Sequence, residues 1–120
     1  MILALSTTCH FCKDSLPFYK ALTAKAQGHL NVIAVFPQTE TEGEKYLRDA
    51  DVSANQFVST QLDTLGVVGT PTLLLVGSKG KVERVWTGLL DEARQEDVLG
   101  RVVRQNATSN TLSSLLNDDQ

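Results

Sequence analysis

The chain has 120 residues, the size of one domain, and 42% of them are apolar, which supports a real but small core. A net charge of −3 argues against nucleic acid as a partner, and no apolar run approaches the length that spans a membrane. The opening residues 1–5 are too short and too poor in basic residues to be a secretory signal.

Residues 2–5 form an uncharged apolar run suited to a buried strand, and Ser6-Thr7-Thr8 is a polar turn with hydroxyls to cap a helix. Cys9-His10-Phe11-Cys12 follows, containing the only two cysteines of the chain. Over 13–27 the apolar positions, with Cys12, Leu16, Tyr19, Leu22 and Ala26, keep helical spacing. Pro17 removes one hydrogen bond there and predicts a kink one turn beyond Cys12, and Gly28 ends the helix. Residues 31–36 read as a second buried strand, stopped by Pro37. Acids near Thr39 then lead into a short surface helix over 43–50, with Tyr46 and Leu47 facing inward.

Residues 55–60 read as extended with Phe57 buried, and Leu62, Leu65 and Val67 as one helical turn. A strand over 72–76, a turn at 77–80 and a second strand over 81–87 predict an antiparallel hairpin, with Val82, Val85 and Trp86 set against Lys81, Glu83 and Arg84. Gly88 closes it, and a helix capped near Asp91 carries Ala93, Val98, Leu99, Val102 and Val103. Residues 106–120 are polar and read as a flexible tail, with Leu112, Leu115 and Leu116 as a weak docking turn, which leaves 1–105 as the domain. This order predicts an α/β fold, a central mixed sheet of about four strands flanked by helices.

The spacing of Cys9 and Cys12, between a strand and a helix, suits a reversible redox dithiol. Unpaired N–H groups and the helix dipole favour a negative charge on Cys9, and thiols in such places have pKa values brought down to roughly 3.5–7.5. The thiolate attacks, and Cys12 one turn later can resolve the mixed disulfide. A zinc site needs two further ligands, and only His10 and His29 are available as histidines. A purely structural bridge across one turn closes too small a loop to stabilise much.

The same order, with Lys13 after the second cysteine, Pro17 five residues beyond Cys12, and Gly69-Thr70-Pro71-Thr72 before Leu73-Leu74-Leu75, resembles the thioredoxin superfamily. The resemblance runs over 2–103 and implies that Thr70–Pro71 is a cis peptide bond. It places the backbone of Thr70 beside Cys9, where a substrate chain pairs as an extra strand. It also implies Cys9 and Cys12 as catalytic residues, His10, Phe11 and Pro17 as modulators of the site, and Thr70 and Pro71 as substrate-binding residues. A protonated His10 would favour the Cys9 thiolate. Phe11 is expected to offer apolar surface to a partner.

Three departures qualify the resemblance. Thr8 stands where a tryptophan is usual, Leu3 where some thioredoxins bury an acid, and the extra strand and helix that thioredoxins carry in front are missing. The spacing is closer to the bacterial TlpA/ResA-like group, which implies an extracytoplasmic protein tethered by an anchor outside this sequence, whereas the sequence as given reads as cytoplasmic. The implied activity is thiol–disulfide oxidoreductase, a monomer needing no cofactor, with protein disulfides or dithiols as substrates and a redox partner protein. Two alternatives stand beside it. One is a peroxiredoxin-like peroxidase, weakened by Ile2 where that family has proline and by the unplaced candidates Arg48 and Arg84. The other is a binding module with idle cysteines.

Overall fold

The computed structural model describes residues 1–102, so the expected tail, the boundary at 105 and Val103 lie outside the described residues. The elements are β1 (Ile2–Ala4), α1 (His10–Ala26), β2 (Ile33–Phe36), α2 (Glu40–Asp49), β3 (Gln56–Ser59), a 3-10 turn (Leu62–Leu65), β4 (Thr72–Val76) and β5 (Val82–Thr87), followed by helix α3 from 92 to 102. One five-stranded sheet runs in the order β3-β2-β1-β4-β5. β1 pairs parallel to β2 and β2 to β3, while β4 is antiparallel to both β1 and β5.

Two consecutive parallel steps run in one direction across the sheet, and α1 and α2 pack on the same face of it. The register lines up Phe57, Ala34, Leu3, Leu73 and Trp86 in one row across all five strands. All five belong to or pack on the main core cluster, with Tyr19 and Leu22 of α1, Leu47 of α2, and Val98 and Val102 of α3. Alternation sends Ile2, Ala4 and Leu74 to the other face, where Val67 and Leu62 cover them.

The fifth strand corrects the expected number of about four. Residues 56–59 pair with β2, and the approach is fixed because Val32 N–H donates to Asn55 Oδ1 at 2.7 Å while Val32 O accepts from Asn55 N at 2.8 Å. An edge strand buries little, so its apolar pattern was faint, and Phe57 is only half-buried. The edge position of β5 likewise changes its reading. Trp86 is buried, but Val82 and Val85 are about half exposed, at 53% and 52%. A register shift between Leu75 and Val76 breaks the strict alternation.

Both early helices start before the stretches read for them, 13–27 and 43–50. α2 begins at Glu40, because Thr39 Oγ1 accepts from Glu42 N–H at 3.2 Å and donates to Glu42 Oε1 at 3.1 Å, a capping box. Gly43 therefore lies inside the helix, against β2. An added Cβ would stand 2.6 Å from Cδ2 of Phe36, a ring that is fully buried and held edge-on to Tyr46. Removing glycine from a helix interior ordinarily stabilises by about 1 kcal/mol. Here the clash wins: Gly43→Ala is expected to destabilise by about 1–2 kcal/mol, read from denaturant midpoints, and a stabilised variant would contradict this packing.

α3 is tied to the sheet by the Trp86 indole N–H, which donates to Asp97 Oδ2 at 3.0 Å. That hydrogen bond holds the Asp97 carboxyl below its ordinary value of 3.8; partial burial opposes the shift, and the Arg101 charge adds to it. A carboxyl with a lowered folded pKa contributes stability that is complete above its unfolded value and lost as pH falls through the folded one. The stability gap between wild type and Asp97→Asn should thus stay constant above pH 3.8 and narrow below it, as followed by chemical unfolding at stepped pH. A gap that persists unchanged into strong acid would contradict the linkage.

Candidate redox site at the start of α1

α1 begins at His10, three residues before the periodic stretch 13–27, because Cys9, expected at the helix N-terminus, is itself the N-cap. Its backbone is extended, with φ −87° and ψ 121°, and its Sγ accepts from the Cys12 N–H at 3.1 Å. The capping role expected of Ser6, Thr7 and Thr8 is thus filled by the cysteine sulfur. Those three residues instead form the turn that leads to it, closed by the Cys9 N–H donating to Ser6 O at 3.2 Å. A sulfur at this position meets the unpaired amide end of the helix, which favours it as an anion.

Cys12 lies on the inward face, fully buried in the main cluster, while Cys9 is only half-buried. The two are paired, with a Cα–Cα distance of 5.2 Å, inside the usual disulfide range. The asymmetry follows from the helix. The cap residue sits at the open end, and N3 turns under it onto the sheet. A partner can reach Cys9 but not the core-facing Cys12, so Cys9 is the sulfur suited to attack.

A second loop meets Cys9 from the other side of the chain. The Thr70–Pro71 peptide bond is cis, and Thr70 O lies 3.4 Å from Cys9 Sγ, within reach of a reduced Cys9 thiol as donor. Thr72 Oγ1 donates to Gly69 O at 2.6 Å and the Gly88 N–H donates to Pro71 O at 2.8 Å, so this loop is held from both flanks. The structure therefore brings Cys9, Cys12, Thr70 and Pro71 together across 61 residues of sequence.

The remaining expected residues lie along α1. His10 Nε2 is 3.3 Å from Asp14 Oδ2, and both side chains are largely exposed. Phe11 is 53% exposed and packs edge-on against the His10 ring. Pro17 lies within α1, which continues through it to Ala26. Leu3, fully buried in β1, occupies the place where the resemblance raised an acid.

Two groups near the site had no sequence signal. One turn beyond Cys12, Ser15 is buried and donates to Phe11 O at 2.7 Å, and a further turn on, burial pushes the Tyr19 hydroxyl up to about 12. Beside the turn, Gln38 reaches across from the end of β2: its Oε1 accepts from the Thr7 N–H at 3.2 Å and its Nε2 donates to Ser6 Oγ at 3.2 Å.

No family model matches the sequence, and no curated protein does. Solved structures do match. StoA from Bacillus subtilis superposes with a TM-score of 0.62 at 15% identity, over 81% of this chain and 78% of that one. A thiol-disulfide isomerase from Corynebacterium glutamicum gives a TM-score of 0.66 at 15% identity, over 84% and 77%. The exposed lipoprotein thioredoxin Etrx1 from Streptococcus pneumoniae gives a TM-score of 0.62 at 21% identity, over 83% and 82%.

Proposed function

We propose that this chain, whose fold is thioredoxin-like, is a thiol–disulfide oxidoreductase that exchanges electrons with protein disulfides and dithiols through Cys9 and Cys12. The observation that carries the reading is Cys9 as a helix N-cap, its sulfur on the Cys12 amide and beside the Thr70 carbonyl. Similarity of fold supports it. Among the described residues no helix is long and apolar enough to cross a membrane.

In the reducing direction the Cys9 thiolate attacks one sulfur of the partner disulfide. A Cys9–partner bond forms as the partner S–S bond breaks, and the displaced sulfur leaves as a thiolate and takes a proton from water. Cys12 then gives its proton to water and attacks Cys9 Sγ. The Cys9–Cys12 bond forms, the Cys9–partner bond breaks, and the second partner sulfur is protonated in turn. Two electrons pass to the partner, which becomes a dithiol, and a redox partner protein restores the Cys9–Cys12 dithiol. The oxidising direction is the reverse.

Thr70 and Pro71 receive the partner chain as an added strand next to the attacking sulfur. The exposed Phe11 gives that chain apolar contact, and His10 and Pro17 modulate the site from its solvent side and from the helix behind it. The chain acts as a monomer. The test is catalysis of insulin disulfide reduction by dithiothreitol. Wild type should accelerate it, and a Cys9→Ser, Cys12→Ser double variant should leave the uncatalysed rate. Equal rates for the two would overturn the reading.

A further inference from the structure

We infer that Gln38 is a positioning residue for Cys9, holding the turn that delivers the nucleophile; this rests on the function proposed above. β1 ends at Ala4, so residues 6–8 lie outside the sheet ladder, yet they set the backbone of the cap residue Cys9. Gln38 clamps them at two points, the Thr7 amide and the Ser6 hydroxyl. The Ser6 hydroxyl passes the restraint on. It lies 3.0 Å from Thr8 Oγ1 and accepts from the Thr8 N–H at 3.4 Å, while Ser6 O accepts from the Cys9 N–H.

Gln38 is the fixed end of this contact. Phe36, two residues before it, is buried in β2, and its carbonyl accepts from the Thr60 N–H at 2.9 Å. Thr39, immediately after it, is the capping residue of α2. The half-buried side chain therefore projects from a corner anchored on both sides onto a turn with little support of its own. Loosening that turn loosens Cys9 as a cap, which weakens its contact with the Cys12 amide and with it the thiolate.

The test follows alkylation of Cys9 in the reduced chain by iodoacetamide at neutral pH, read by peptide mass. Gln38→Met keeps the bulk and removes both hydrogen bonds, and it should slow the reaction by about fivefold, the scale of a lost cap. Gln38→Glu still accepts from the Thr7 amide, and its second carboxylate oxygen can accept from the Ser6 hydroxyl where the Gln38 amide donated to it. In about 0.5 M salt, which screens its charge, it should recover most of the loss. Because Ser6 and Gln38 act through one network, Ser6→Ala combined with Gln38→Met should be slowed by less than the product of the two single effects.

A folded Gln38→Met chain within about twofold of wild type, or a Gln38→Glu chain as slow as Gln38→Met, would overturn the inference. If Gln38→Met does not fold, Ser6→Ala alone decides: it should slow alkylation by about two- to threefold, and no change would refute the role. Exchange with glutathione disulfide is measured alongside. A reduced wild type that glutathione disulfide does not convert to the Cys9–Cys12 disulfide would sink the oxidoreductase reading, while the alkylation series would still decide the role of Gln38.

Discussion

A Cys12→Ser chain incubated with a partner disulfide is expected to accumulate a covalent mixed disulfide through Cys9, while a Cys9→Ser chain accumulates none. The helix geometry separates the two sulfurs. Cys9 caps the open end of α1 and accepts an amide, so its anion is stabilised and reachable. Cys12, one turn further, is fully buried and belongs to the main core cluster. Without Cys12 the first attack proceeds and the second cannot, so the intermediate persists. Without Cys9 the remaining thiol faces the core, and turnover should fall by roughly a thousandfold or more, as when a nucleophile is removed. Non-reducing electrophoresis with mass spectrometry reads the adduct. Trapping by Cys9→Ser and not by Cys12→Ser would reverse the assigned roles.

The second large effect is on stability. Leu22 lies on the inward face of α1 with no exposed surface, nearly three turns beyond Cys12. Leu22→Ala should cost about 2–5 kcal/mol, the lost transfer energy plus the cavity left beneath the helix. In a domain of this size each kcal/mol lowers Tm by about 4–8 °C, so the melting point should fall by roughly 10 °C or more. The cap contacts of Cys9 do not involve Leu22, so the reduction potential of the folded variant should match wild type. A loss under about 1 kcal/mol would mean that α1 is not seated as described.

The chemistry was legible where it lay in neighbouring residues. Cys9 and Cys12 stand one helical turn apart, and Gly69-Thr70-Pro71-Thr72 precedes an unmistakable apolar run. Their meeting across 61 residues was reached only through the resemblance of the whole pattern. The elements emerged in the same way: β1, β2 and β4 are buried on both faces and read as apolar runs, whereas the edges β3 and β5 expose Val58, Val82 and Val85.

The periodic stretches were read late where the cap departed from habit. Cys9 was placed at the helix N-terminus, yet the helical spacing was read only from 13, because cysteine is not an ordinary N-cap. Gly43, which read as the start of α2, instead marks where that helix presses on Phe36. Gln38 had no signal at all, because a single glutamine after a strand says nothing about a partner 32 residues earlier. Ser15 was similarly silent, because its bond to the Phe11 carbonyl is a property of the packed helix and not of any spacing that names a chemistry.

The central claim is that Cys9 and Cys12 form a reversible redox couple, and the most direct measurement is its equilibrium with a glutathione or dithiothreitol buffer series. The fraction of oxidised chain is quantified by alkylation and mass. The account predicts one two-electron transition, with a potential between about −270 and −120 mV. A chain that forms no internal disulfide at any poise would contradict it.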